Sequence, residues 1–252
     1  MKNSKSYEEK KAFFDSLITV YGRNVVLETL QEESVQIHKL HLADSNKNDG
    51  VMSKILALAK QKDIEIAYHD KRALSRISKN AKQDQGVAAD IIAPLYAKAS
   101  KIDEKLPEGY RLIALDGIHN PQNLGMIIRS CTAGNIDGII LPTKNSAKIS
   151  PLVIKASAGT LFKIPIFYCD TLDKDLPKLK EMGANIYALS SHATTSLKDL
   201  VDEKRMVFVL GNESEGVSES ITALCNKSVV IPMNRGVESL NVAVTASLIA
   251  FS

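Results

Sequence analysis

Leu115-Asp116-Gly117-Ile118-His119-Asn120-Pro121-Gln122-Asn123-Leu124-Gly125-Met126-Ile127-Ile128-Arg129-Ser130 is the stretch on which the fold turns. The apolar run Arg111 to Leu115 leads into it and reads as a strand. Asn-Pro marks a turn, and the apolar positions beyond it predict a helix from Leu124 to Ala133. Asn123 stands where an N-cap would be expected, because its side chain could accept from the first free amides. Capping does not account for Arg129, a charge among Ile127, Ile128 and Cys131 that needs a carboxylate or phosphate partner if it is buried. A structural ion pair and a functional group are both open at this point.

Strand, polar loop and helix recur downstream. Strands are predicted at Gly138 to Leu141, Asn185 to Leu189, Met206 to Leu210 and Ser228 to Ile231, with helices at Pro151 to Ala158, Leu172 to Met182 and Leu240 to Phe251. Such alternation with short links makes a mostly parallel α/β sheet covered on both faces. Ligands of such sheets bind beyond the carboxyl ends of the strands, which directs attention to the loops after Leu115, Leu210 and Ile231. Upstream, residues 17–95 read as a small α/β domain of their own, with helices at Arg23 to Leu30 and Met52 to Gln61 and strands near Ile37 to Leu42, Ile64 to Ala67 and Val87 to Ile92. Residues 1–16 form an amino-terminal extension. Residues 96–109 are polar, carry Pro and Gly, and read as a linker to a domain spanning 110–252.

The second loop, Gly211-Asn212-Glu213-Ser214-Glu215-Gly216, has the G-x-x-x-x-G spacing of a phosphate loop, but Val217-Ser218 follow where Lys-Ser/Thr is required, which excludes an NTPase. No G-x-G-x-x-G follows a strand, so the main support for a dinucleotide oxidoreductase is missing. The third loop runs from Ile231-Pro232-Met233 to Ser239-Leu240-Asn241-Val242, where Ser239 or Asn241 opens a strongly apolar helix.

Composition narrows the rest. The chain has 252 residues, 44% of them hydrophobic, enough for a core, and no run approaches a membrane span, so a cytoplasmic location is expected. Cys131, Cys169 and Cys225 are far apart and are expected to be reduced and buried. His38, His41, His69, His119 and His192 suggest no ligand set, and no metal is expected. With 32 Lys+Arg against 29 Asp+Glu the net charge is only +3, so any nucleic-acid footprint must be local. The densest basic stretch is Lys71 to Lys82. Arg72, Arg76 and Lys79 fall there at i, i+4 and i+7, one helical face that could meet phosphates or equally be an ordinary solvated face.

Taken together and in order, Asn123-Leu124-Gly125-Met126-Ile127-Ile128-Arg129, Gly211 to Gly216, and Ile231-Pro232-Met233 through Ser239-Leu240-Asn241-Val242 resemble the three motifs of the SpoU (TrmH/RlmB-like) family within the SPOUT RNA methyltransferases. Tyr21-Gly22-Arg23-Asn24-Val25-Val26 and Gln85-Gly86-Val87 resemble that family's amino-terminal substrate-binding domain, with Asp84 where the family often has His, a departure that bears on substrate choice. The resemblance implies a carboxy-terminal trefoil knot, which elementary topology rules would not have produced, and a homodimer. It also implies S-adenosyl-L-methionine as cofactor, held around Gly211, Ile231, Met233 and Leu240. Asn123, Arg129, Glu213, Ser239 and Asn241 correspond to the active-site positions, and the expected activity is methylation of a ribose 2′-hydroxyl in structured RNA, with 23S rRNA guanosine first. A tRNA enzyme or an antibiotic-resistance rRNA methyltransferase of the same family is the alternative. A catalytically silent RNA-binding assembly factor is the alternative of another class.

Overall fold

The computed structural model describes residues 11–252 apart from 12, 15, 34, 48, 80–82, 94, 201 and 202, so most of the 1–16 extension and the end of the basic stretch, Asn80 to Lys82, lie outside the described residues. The chain divides near residue 96 into two compact units.

The first unit is a four-stranded sheet with helices: β1 (Leu17–Tyr21), α1 (Arg23–Gln31), β2 (Ile37–Ala43), α2 (Gly50–Gln61), β3 (Glu65–His69), α3 (Lys71–Ser78) and β4 (Val87–Ile92), in strand order β1-β4-β2-β3. β4 pairs antiparallel with β1 and β2, while β2 and β3 are parallel. One sheet face carries Val20, Leu40, Leu42, Val87, Ala89 and Ile91 into the core, where Val26, Leu30, Met52 and Ile55 are also buried. The alternate positions Tyr21, Ala43 and Ala88 pack with Leu74 and Ile77 of α3. The apolar run Leu17–Tyr21 is a strand that the reading passed over. α3 ends at Ser78, and Lys79 caps it in the left-handed conformation (φ 54°), so Lys79 leaves the helical face shared by Arg72 and Arg76. Asp84 is buried and takes hydrogen bonds from Ser78 Oγ and the Gly86 N–H, both at 3.0 Å, which makes it a bracket for its own loop.

The second unit contains β5 (Tyr96–Lys98), α4 (Ile102–Lys105), β6 (Tyr110–Leu115), α5 (Pro121–Ala133), β7 (Gly138–Pro142), α6 (Pro151–Ala156), β8 (Ile166–Cys169), α7 (Leu172–Glu181), β9 (Asn185–Leu189), β10 (Thr195–Ser196), β11 (Arg205–Leu210), α8 (Glu219–Thr222), β12 (Lys227–Val230) and α9 (Val242–Ala250). Its eight-stranded sheet has the order β10-β12-β9-β11-β6-β7-β8-β5, and β6 through β12 pair in parallel. The stretch 96–109 is therefore not a free linker: β5 forms a sheet edge beside β8, and Ala99 and Ile102 are buried in the core. Its polar composition misled because an edge strand and a one-turn helix expose most of their side chains. β8 and β10, too short to show a period, also escaped the sequence reading.

On one sheet face Leu112, Ala114, Val207 and Val209 pack with Leu172, Leu176 and Leu179 of α7. On the other, Arg111 lies over Phe208, and its guanidinium donates to Ile249 O and Ser252 O at the end of α9. α5 and α9 pack together on that side, with Ser247 Oγ donating to Ser130 Oγ at 2.7 Å. α5 also meets α6 too closely for a side chain at Gly125: a Cβ there would lie 2.5 Å from Ala156 Cβ and 2.7 Å from Val153 O. β6 proceeds to β7 and β8 on one side, while β11 flanks it on the other, so the sheet changes direction between β6 and β11. At such a point two loops diverge from adjacent strand ends and leave a crevice.

Candidate active site

The loop after β6 ends at Asn120, whose side chain accepts from Gln122 N at 2.8 Å and Asn123 N at 3.4 Å, with Pro121 at the first helical position. Asn120, not Asn123, is thus the N-cap of α5. The preference for Pro at the first turn explains the one-turn displacement from the reading. Relieved of capping, Asn123 is 6% exposed and directs its amide elsewhere.

The loop after β11 is folded on itself. Asn212 Oδ1 accepts from Ser214 N at 2.7 Å, and Asn212 O accepts from Gly216 N at 2.8 Å. This brings Gly216 against Gly211 so closely that a Cβ on Gly211 would lie 1.9 Å from the Gly216 carbonyl carbon. Gly211 is required by backbone contact within the loop, and the fold holds Glu213 in position as a result. Asp116 joins the first two loops, taking a hydrogen bond from Ser218 N at 2.9 Å while its own N–H donates to Leu210 O at 2.8 Å. The third loop ends at Asn241, the N-cap of α9, whose Oδ1 accepts from Ala243 N at 2.9 Å. Its Nδ2 donates to Glu213 Oε1 at 2.8 Å and to Asn123 Oδ1 at 3.2 Å, and Asn123 Nδ2 also donates to Glu213 Oε1.

Asn123, Glu213 and Asn241, 118 positions apart at the extremes, are therefore one hydrogen-bonded group that ties all three loops together. A cleft lies beside it, lined by Gly117, His119, Asn120, Asn123, Glu213 and Val242 among others. A carboxylate accepting from two amides, both fixed at helix starts, is a preorganised polar wall able to orient hydroxyl groups.

Two of the five expected active-site residues are not part of this group. Arg129 is exposed on α5, in line with Gln122 and Met126 at helical spacing, and has no hydrogen-bond or ion-pair partner among the described residues. The ion-pair reading offered for it is set aside. Ser239 is exposed in the irregular segment before Asn241. Ile231, Met233 and Leu240 are half-buried along the third loop, and Gly211 begins the second. Arg72, Arg76 and Lys79 are exposed in the first unit. His119, which the sequence reading mentioned only to dismiss as a metal ligand, lines the cleft. Its place between the end of β6 and the Asn-Pro turn was the available signal. Among the described residues no group of three or more His, Cys, Asp or Glu is arranged to hold a metal, and no helix is long and apolar enough to cross a membrane. Burial pushes the Cys131 thiol up to about 12, and burial with the nearby Asp175, Asp170 and Asp173 does the same at Cys169, so neither is a nucleophile near neutrality. Cys225 is only half-buried, against expectation.

Residues 110–251 match the SpoU rRNA Methylase family, and residues 19–97 match the domain described as RNA 2′-O ribose methyltransferase substrate binding. A Bacillus subtilis protein named for the TrmH family of tRNA/rRNA methyltransferases is 30% identical over 92% of this chain and 93% of its own. The 23S rRNA (guanosine-2′-O-)-methyltransferase of Nitrosomonas europaea is 28% identical over 92% of this chain and 89% of its own. The fold is shared with the SpoU methyltransferase AviRb of Streptomyces viridochromogenes, solved with AdoMet, at a TM-score of 0.61 and 20% identity over 94% of this chain and 88% of that one. Three ordered motifs meeting at one cleft, and a family match over residues 110–251, establish that this chain belongs to the SpoU rRNA methylase family.

Proposed function

We propose that the protein methylates a ribose 2′-hydroxyl in structured ribosomal RNA, a guanosine of 23S rRNA in the first instance, using S-adenosylmethionine. The observation that carries this reading is the convergence of Asn123, Glu213 and Asn241 on one cleft at the carboxyl ends of parallel strands. The named activity of the Nitrosomonas relative favours rRNA, and the substrate-binding match over residues 19–97 favours an RNA ribose as the acceptor.

The chain is suited to the cofactor. Across 232–240, Val237 N to Asn234 O is the one main-chain hydrogen bond made within the segment among the described residues. The remaining amides and carbonyls can pair with an adenine edge, with Ile231, Met233 and Leu240 supplying partly buried apolar surface and the loop that starts at Gly211 tied to this segment through Glu213 and Asn241. When bound, S-adenosylmethionine supplies an electrophilic methyl group on a sulfonium. The protein's part is to hold the ribose oxygen in line with it and to manage the oxygen's proton. Asn123 and Asn241 orient the ribose, Glu213 fixes both amides, and Ser239, exposed two residues before Asn241, offers an anchoring hydroxyl. Guanidinium is a poor base, so Arg129 serves as a clamp on an RNA phosphate and a stabiliser of developing alkoxide charge.

The reading includes a homodimer. Met126 shares the outer face of α5 with Arg129, and Val244 and Leu248 share that of α9, followed by Phe251. These four apolar residues are 41%, 46%, 43% and 65% exposed. A second copy on this face would cover them and carry Arg129 to the border between copies. Incubating the protein with labelled S-adenosylmethionine and rRNA tests the proposal: label in a ribose 2′-O-methyl group supports it, and label in a base or none at all overturns it.

A further inference from the structure

A 2′-hydroxyl cannot attack a methyl group productively while it keeps its proton, and most of the polar groups around the cleft cannot receive it. Guanidinium does not give up a proton to become a base. The carboxamides of Asn120, Asn123, Asn212 and Asn241 are not bases, and each has its Oδ1 occupied: Asn120 by Gln122 N, Asn212 by Ser214 N, Asn241 by Ala243 N, and Asn123 by Asn241 Nδ2. Glu213 Oε1 accepts from two amides, which leaves its second oxygen as the one other candidate acceptor in this group. Against this wall of satisfied groups His119 stands out. It lines the same cleft, is exposed, and has no hydrogen-bond partner among the described residues.

The loop that carries it is held from several sides. Its preceding residue Ile118 is 2% exposed and accepts from Ala147 N at 2.7 Å, while Asn120 caps α5 immediately after it. A solvent-accessible ring with no protein partner among the described residues, on a pinned loop beside an orienting group, is the arrangement general-base catalysis needs. We propose that His119 receives the ribose 2′-hydroxyl proton during methyl transfer. This rests on the ribose-methylation reading above. The oxygen–methyl bond forms as the methyl–sulfur bond breaks with its electron pair remaining on sulfur, and the proton passes from the oxygen to an imidazole nitrogen and then to water. The charged groups on the elements packed against this loop are Asp116 within it, Glu213 and Glu215 on the loop after β11, and Lys144 and Lys148 on the segment around Ala147. Glu213 is the one that also lines the cleft, so it is the competitor the experiment must separate.

The test uses the full-length protein in single-turnover assays across pH 5–9, comparing wild type with His119→Gln and His119→Ala. His119→Gln preserves size and hydrogen bonding but cannot take up a proton. The rate constant is expected to fall about 100-fold in both, with RNA and S-adenosylmethionine affinities by calorimetry within about twofold. The rise in rate on the acid side is expected to disappear in both variants, and added imidazole is expected to restore part of the His119→Ala rate. As a readout independent of turnover, the His119 ring resonance, assigned by its absence in His119→Gln, should move when S-adenosylmethionine alone is added. An unchanged rate overturns the proposal, as does a loss confined to RNA affinity. An acid limb that persists in His119→Gln overturns it too and points to Glu213. If the wild-type protein itself forms no 2′-O-methyl product, the underlying ribose reading has failed instead.

Discussion

At the level of single residues the site rests on short-range demands that the sequence revealed unequally. Asn123, Glu213 and Asn241 were legible because their motifs occur in order, but what each does was not. Asn123 looked like a cap until Asn120 and Pro121 took that role, which left its amide to Glu213. Asn123→Ala should lower turnover by about 10- to 100-fold with little change in melting temperature, because Asn120 still caps α5. A large loss of stability would show that the polar group is mainly structural. Gly211 was expected to matter for its approach to the cofactor, whereas the nearer constraint is Gly216. Gly211→Val should therefore displace the whole loop, weakening S-adenosylmethionine binding in titration calorimetry by at least about tenfold and releasing Glu213 from its amides. Unchanged affinity in a folded variant would remove this loop from the cofactor site. Arg129→Ala should leave fold and cofactor affinity near wild type while removing about 99% of turnover or more, and Arg129→Lys should be nearly as poor, since ammonium lacks the planar two-point fork. Near-normal transfer by Arg129→Ala would end its assignment.

Among the elements, the four-stranded sheet of the first unit carries a polar row that no periodicity could announce, because its members come from four separate strands. Thr19 Oγ1 donates to Asp90 Oδ1 at 2.6 Å, His41 Nε2 lies 3.0 Å from Asp90 Oδ2, and His41 Nδ1 lies 3.0 Å from His69 Nε2. Burial opposes ionisation of Asp90, but hydrogen bonds from His41 and Thr19 outweigh it, and the carboxyl titrates below the usual carboxylate range. A folded-state value below the unfolded one adds stability above about pH 4, and this is lost as pH falls through the lowered value. Denaturant melts at pH 7 and pH 3 should show Asp90→Asn less stable than wild type by about 1–3 kcal/mol at pH 7, with the gap closing at pH 3. A gap independent of pH would show that the row acts through shape alone. On α3 the basic face is smaller than its sequence spacing implied, since Lys79 turns away in the left-handed cap. Reversing charge at Arg72 and Arg76 should flatten the logarithmic salt dependence of RNA binding by roughly 0.7 to 0.9 per lost phosphate contact, with cofactor affinity unchanged. A wild-type slope would make this an ordinary solvated face.

Across the whole molecule the strand–helix alternation was readable because buried parallel strands are continuous apolar runs, as in Met206 to Leu210. What escaped were pieces whose burial comes from tertiary neighbours: β5, read as part of a linker, and β8, four residues long. The difference matters for dissection. A fragment starting at 110 would strip a sheet edge and the buried Ile102, so a catalytic fragment should start at about residue 96. Association should depend on the outer faces of α5 and α9. Leu248→Glu is expected to convert a dimer to a monomer in sedimentation and to abolish turnover, and an unchanged mass would place the interface elsewhere. The central claim, that the three-loop cleft transfers methyl groups to ribose oxygen, is tested most directly by mapping ribose methylation in rRNA after reaction with the wild-type protein and with Asn123→Ala. The account predicts one new 2′-O-methylated nucleotide with wild type and a sharply reduced signal with the variant. Methylation on a base, or equal ribose methylation by both proteins, would contradict it.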